Sequence, residues 1–256
     1  MITNPVIETI LDHKSVREYT EEEPTEEVIE TIVRAGQQAP FAFQNYSVLL
    51  SRNRKNNPFN APLLFTICVD VHKFERIMAK RNWKTITNDL TLILFGIEDA
   101  SYMAQNMVTA ARSLGLGSCF LGRPLISVEN FVKKYKLPKR VFPIVQLAMG
   151  YPAENRPCRP RYPLDFTLFE DVYPNFNDEP INKAMKQMDD GYLAQEYYRK
   201  ANLIIPLKNN REETFTFEDY SWTEHISRKM GQRHDSTADQ IDQLEKCGFN
   251  IRKKRD

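Results

Sequence analysis

Residues 96–122, GIEDASYMAQNMVTAARSLGLGSCFLG, decide how the rest of the chain is read. Glu98 or Asp99 can open a helix, and behind them Ala100, Ala104, Met107, Val108, Ala111 and Leu114 recur at the spacing of a buried helical face. Small residues fill the remainder, so this helix can pack on nearly every side. Gly115-Leu116-Gly117 tolerates the positive φ of a helix exit, and Ser118-Cys119-Phe120-Leu121 continues as a short apolar strand. Gly122 then lets a ligand lie close against the backbone. Taken alone, this is ordinary α/β core.

Working outward, 46–50, 63–70 and 141–149 read as three further strands. Thr25 caps a helix that Gly36 and Pro40 end, His72 opens a surface helix to Lys80, and Ser127 caps another over 128–135. The link SRNRKNNPFNAP is too short for a long helix and reads as a loop. Val16 to Thr20 reads as an extended segment, with Arg17 and Tyr19 on one side and Val16 on the other. Four strands interleaved with helices make an α/β or α+β sandwich. The proline-punctuated arm RPCRPRYP, 156–163, can be neither helical nor central in a sheet. Beyond it, 180–202 is helical, Ser221 to Glu224 is a capping-box-like start for a helix reaching Met230, and 237–247 forms a last helix before a basic tail.

With 35 Lys and Arg against 34 Asp and Glu, the chain has no global field to recruit nucleic acid or an anionic membrane. No apolar run approaches the roughly 20 residues that span a bilayer. The amino-terminal stretch MITNPVIETILDHKS lacks the pattern of a secretory leader, so the expected location is the cytoplasm. Cys68, Cys119, Cys158 and Cys247 form no CxxC pair and read as reduced thiols, and the four histidines have no metal-ligand spacing. No structural metal is expected.

Three clusters carry possible chemistry: His13-Lys14-Ser15 with Arg17, the arm residues Arg159 and Arg161, and the strand exit from Phe120 to Arg123. Cations beside a hydroxyl suit a phosphate monoester, because arginine presents paired donors to its oxygens. Each cluster by itself is also what a solvated surface looks like.

Together these residues resemble the nitroreductase family. Lys14-Ser15-Val16-Arg17-Glu18-Tyr19 resembles its R-S-x-R-x-F/Y signature. AQNMVTAARSLGLGSCFLG is similar to its central helix and following strand, and LPKRVFPIVQLAMGYPAENRPCRPRYP to its last core strand and R/K-P-R arm. EYYRKAN and YSWTEHISRKM resemble the carboxy-terminal helices of the oxygen-insensitive NADPH nitroreductase and flavin reductase group.

The resemblance implies an α+β fold: a three-layer α/β/α sandwich with a mainly antiparallel sheet. It implies a single domain over 1–256, with a core of 1–165 and a helical, dimer-embracing extension of 166–256. It further implies a homodimer with FMN at the subunit interface, NADPH or NADH as donor, and a small-molecule acceptor such as a nitroaromatic, a quinone or a flavin. By the match, His13, Lys14 and Ser15 contact the phosphate and ribityl chain, and Arg17 stabilises charge at the flavin N1 and O2 edge. Phe120, Leu121 and Gly122 lie along the ring, and Arg159 and Arg161 bind the phosphate. No protein nucleophile is implied, since flavin N5 carries the chemistry. Lys200, Lys208, Arg211 and Arg233 are candidates for the nicotinamide phosphate.

Two departures stand out. The loop Ala39-Pro40-Phe41-Ala42-Phe43-Gln44-Asn45 lacks the family's serines, leaving Gln44 or Asn45 to reach the flavin and Phe41 or Phe43 to shape the substrate face. The 51–61 link lacks the family's helix, which opens one wall of the pocket. The competing readings are a degenerate flavin-binding dimer or scaffold without turnover, and the same fold dehalogenating a substrate or fragmenting flavin.

Overall fold

The computed structural model describes residues 1–208, 211–232 and 237–252. Helix α1 (Pro5–Leu11) is opened by the side chain of Asn4, and α2 (Glu26–Gln37) by Thr25. Gly36, expected to end α2, lies inside it, buried against Met103 and Met107. Strand β1 (Tyr46–Ser51) leads through two single 3-10 turns, Arg54–Asn56 and Pro58–Asn60, to β2 (Leu63–Asp70) and α3 (Val71–Lys80). The link is thus as short as its sequence indicates.

Helix α4 (Asp89–Ser113) opens ten residues before the sequence signal at Asp99, capped by the Asn88 side chain on the Thr91 N–H at 2.8 Å. Its first turns carry exposed Leu90 and Leu94, so no one-sided apolar stripe marked the start. Ala100, Ala104, Met107, Val108 and Ala111 are buried as the spacing requires, whereas Leu114 falls on the helix exit and is exposed. Gly115 takes φ +82°, and β3 (Gly117–Leu121), α5 (Val128–Tyr135) and β4 (Val141–Gly150) follow. Ser127 does not cap α5 with its side chain. Gln243 accepts the Val128 N–H at 3.1 Å instead.

The four strands form one antiparallel sheet in the order β1-β2-β4-β3. Leu63, Phe65, Ile67 and Val69 of β2 face α2 and α4 in the main core. The other face is covered by Val16, Tyr19 and Ala61, which pack on Leu64 and Ala148, and by Tyr135 of α5, whose hydroxyl accepts from Thr66 at 3.1 Å. Helices on both sides of an antiparallel sheet give the α+β three-layer architecture.

The chain divides into two compact units, Met1–Arg156 with Ser236–Asp256, and Pro157–Asp235. In the first, Arg140 joins α3 and α4 by pairing with Glu75 and Asp89, both at 2.8 Å, and donates to the Gly248 carbonyl after α9 (Thr237–Lys246). Between α5 and α9 in the chain, the second unit holds α6 (Asp178–Ala194), α7 (Tyr197–Lys200) and α8 (Trp222–Gly231). The helix expected over 180–202 therefore breaks before Tyr197, at Glu196 with φ +50°. Ser221 does not cap α8 by its own side chain: Asp189 of α6 accepts the Thr223 N–H at 2.8 Å.

Met188, Tyr192, Tyr198 and Tyr220 make the core of this second unit. Arg228, 4% exposed, hydrogen-bonds Glu213 and Glu224 and lies over the Tyr220 ring at 5.0 Å. The hydrogen bonds from Arg228, then the Phe215 N–H, hold the Glu213 carboxyl down to about 2. Its contribution to folding is therefore complete above the ordinary value of 4.5 and disappears as the pH falls toward about 2. Trp222 fluorescence is expected to report loosening of this unit across that window. Glu213→Gln should remove this component, and an unchanged acid profile in that variant would mean the pair is unimportant.

Candidate functional site

The segment 13–20 leaves α1 and runs from the start of β3, which it bridges at Ser118, to the end of β4, just past which it bridges Pro152. Ser15 bridges Ser118, the Val16 N–H donates to the Ser118 carbonyl at 2.9 Å, and the Thr20 N–H donates to the Tyr151 carbonyl at 2.9 Å. Gly117 and Gly150, paired across β3 and β4, make room for it. A Cβ on Gly117 would stand 2.5 Å from Val16 Cγ2, and one on Gly150 would stand 2.6 Å from Pro62 Cγ and 3.0 Å from Tyr19 Cδ1. Tyr19 is buried beside Val16, not on the side of Arg17 as strict alternation implies. The segment touches the sheet only through isolated bridges, so the two-residue repeat of a ladder does not apply.

Glu154 fastens the segment from below, accepting the Arg17 backbone N–H at 2.6 Å. Burial raises its pKa, but the Arg17 N–H and Arg156 outweigh it and the carboxyl stays below its ordinary value. Lys14 Nζ lies 2.9 Å from Asn155 Oδ1 and 3.3 Å from Asp12, which also pairs with Arg112. These residues line a groove of about 770 Å³ that also receives Glu8 and Glu154, so its cations are matched by carboxylates. His13 and Ser15 are half-buried beside Lys14.

Arg17 differs from Lys14. Glu18 and Glu154 pair with Arg156 instead, and among the described residues no ion pair holds the Arg17 guanidinium. It faces Cys119 of β3. Burial pushes the Cys119 thiol up, while Arg17 and the Ser15 hydroxyl pull it partly back, so it remains a thiol at neutral pH. Sequence spacing treats Cys119 only as a small apolar residue, which it also is, at 3% exposed. One residue on, Phe120 is 39% exposed although it stands in a strand, Leu121 packs against the cluster of Val16 and Leu64, and Gly122 has no atom within 4 Å of where a Cβ would be. The strand end at Gly122 is therefore open, and the strand faces, at Cys119, a cation with no ion pair among the described residues and a hydroxyl.

Gln44 lies apart from this cluster. Its loop rests on α3 and α4, with the Phe43 ring 5.9 Å from Phe74 and 5.3 Å from Phe95. Asn45 is fully buried, which leaves exposed Gln44 as the amide able to meet a ligand. The short link lines one side of a cavity of about 180 Å³ through Asn56 and Pro58, opposite Arg123, Phe131 and Gln146.

In the second unit, the Arg159 guanidinium lies over the Tyr197 ring at 4.1 Å and bonds Gln195. Arg161 donates to the carbonyls of Arg159 at 2.9 Å and Pro160 at 3.0 Å. Both bond neutral groups, and among the described residues neither is in an ion pair. Lys200 pairs with Glu196 at 3.1 Å, Lys208 donates to the Gln232 carbonyl at 3.1 Å, Arg211 is exposed, and Arg233 lies outside the described residues. Among the described residues, no helix is long and apolar enough to cross a membrane, and no cluster of three His, Cys, Asp or Glu could hold a metal.

Comparison with known proteins gives concordant results. The model of the nitroreductase family matches residues 48–151. An FMN reductase (NADPH) of Bacillus subtilis is 28% identical over 96% of this chain and 99% of its own. An oxygen-insensitive NADPH nitroreductase of Salmonella typhimurium is 27% identical over 89% and 91% respectively. Among solved structures, a hypothetical oxidoreductase of Bacillus subtilis superposes with a TM-score of 0.82 at 26% identity, covering 98% of this chain and all of the other.

Proposed function

We propose that the chain is a member of the nitroreductase family, whose model matches residues 48–151, and that it is an FMN-dependent NAD(P)H oxidoreductase like the relatives it resembles, working as a cytoplasmic homodimer on small-molecule acceptors: nitroaromatics, quinones or flavins. The observation that carries this reading is the Arg17 guanidinium, in no ion pair among the described residues and set with the Ser15 hydroxyl against Cys119 of β3. The donors present suit FMN: His13, Lys14 and Ser15 are assigned to its phosphate and ribityl chain, and Arg159 and Arg161, in no ion pair among the described residues, to the phosphate. When bound, FMN supplies the two-electron carrier that accepts hydride from NAD(P)H and passes it to the acceptor.

The protein's own part is placement and charge. Arg17 stabilises negative charge developing at the pyrimidine edge of the ring, and it needs no reorganisation to do so because Glu154 already fixes its backbone. Gly122 leaves room for the ring to lie on the strand end, and Phe120 supplies an apolar wall that keeps water from the face. Phe41 and Phe43, both exposed, are assigned to the acceptor side, and exposed Gln44 to the flavin. One face then serves donor and acceptor in turn, which is ping-pong kinetics. The test is anaerobic addition of NADPH, and separately NADH, to the FMN-loaded full chain. Bleaching of the visible flavin absorbance and its return on adding a quinone are expected. Flavin that binds but does not bleach with either nucleotide would favour the turnover-free flavin-binding dimer.

A further inference from the structure

The Asp99 carboxylate is 1% exposed on α4 and pairs with no cation among the described residues. It is spent on the backbone of one loop. Its Oδ1 accepts the Ala42 N–H at 2.6 Å, and its Oδ2 accepts those of Phe43 at 3.1 Å and Asn45 at 3.0 Å. Gln44 is skipped, and at φ +55° it adopts the left-handed conformation that a residue with a side chain avoids unless its surroundings impose it. One turn earlier on the same helix, Gly96 lets α4 close on this region: a Cβ there would stand 2.5 Å from Val69 Cγ1 and 3.4 Å from the Asn45 carbonyl oxygen. That carbonyl accepts the Asp70 N–H at 2.8 Å, which joins the loop to the sheet. The backbone on both sides of Gln44 is thus fastened, and the Gln44 side chain is exposed.

We infer that Asp99 is a positioning residue, whose carboxylate gathers the 42–45 backbone and so holds the Gln44 amide out toward the flavin. The inference rests on the FMN reading proposed above. Asp99 acts through the backbone of the loop that carries Gln44, accepting the amides on both sides of it.

The test is a double-mutant cycle of Asp99→Asn and Gln44→Ala in the full chain, read by FMN dissociation constant, flavin midpoint potential and the separate KM and kcat for NADPH. Asp99→Asn keeps one acceptor oxygen and the side-chain volume, so it is the variant chosen to fold. Asp99→Asn is expected to weaken FMN binding about tenfold, the scale of losing a charge-assisted hydrogen bond, and to shift the potential. In the Gln44→Ala background it should change either quantity less than about twofold, because interacting residues are not additive. Equal effects in both backgrounds, or wild-type binding and potential in Asp99→Asn, would overturn the inference. Amide exchange at 42, 43 and 45 separates the two failures. If the wild-type chain takes up no FMN, the oxidoreductase reading falls and the flavin-facing role with it, whereas unchanged exchange in Asp99→Asn rejects the clamp alone.

Discussion

Gly117→Ala is expected to destabilise the Met1–Arg156 unit by about 1–3 kcal/mol, the range for forcing a methyl into a packed site, and to release most of the bound FMN. The added carbon would lie 2.5, 2.7 and 2.9 Å from three carbons of Val16. Valine is stiff at χ1 and 4% exposed here, so it cannot swing aside as a long side chain would. The segment has to lift from β3, and Ser15, bridged to Ser118, and Arg17 lift with it. Stability and cofactor retention should therefore fall together. Thermal melting and the flavin-to-protein absorbance ratio measure both, and a variant with unaltered melting and full flavin content would show that the close approach of 13–17 to β3 is not what shapes the site.

Arg17→Ala is expected to act the other way round, sparing the fold and damaging the chemistry. The side chain is half-buried and no ion pair of the fold depends on it among the described residues. Losing one charge-assisted hydrogen bond, about 1.5–3 kcal/mol, should raise the FMN dissociation constant about 10- to 100-fold. Reduction by NADPH should slow as well, because the cation's contribution grows as charge builds on the ring. Arg17→Lys should restore part of the binding, since it keeps the charge but loses the paired donors. Stopped-flow reduction of the variant decides the matter: a wild-type rate with wild-type affinity would put the pocket elsewhere.

How much of this was legible in the sequence depends on the kind of signal. The stripe Ala100, Ala104, Met107, Val108 and Ala111 placed the central helix and its buried face, because periodicity reports burial directly. The same logic missed the first ten residues of α4, where Leu90 and Leu94 are exposed and apolar residues follow no one-sided repeat. Asp99 was visible as the one charge on a buried stripe, yet a helix-opening role explained it equally well. Only the positions of the Ala42, Phe43 and Asn45 amides separate a cap from a clamp for a distant loop. Asp189, which caps α8 from α6 in place of Ser221, escaped for the same reason: the donor and acceptor are 34 residues apart. Glycines carried unused information as well. Gly117 was read as a helix exit, whereas its pairing with Gly150 shows that it seats the 13–20 segment.

The sequence groups His13, Lys14, Ser15 and Arg17 as one cluster, and the resemblance divides roles among them, but their ion pairing is not legible there. Lys14 is shared between Asp12 and Asn155 in a groove balanced by acids, while among the described residues Arg17 is in no ion pair. Such a difference arises from which carboxylates fold nearby, and no local motif encodes it.

The central claim is that the chain binds FMN, with the Arg17 guanidinium, in no ion pair among the described residues, serving the ring edge. Its most direct measurement is titration of the purified full chain with FMN, following flavin fluorescence while the mass of the species in solution is determined on the same sample. The account predicts quenching that saturates at one FMN per chain, carried by a dimer. A colourless chain that leaves FMN fluorescence unquenched at every concentration would contradict it.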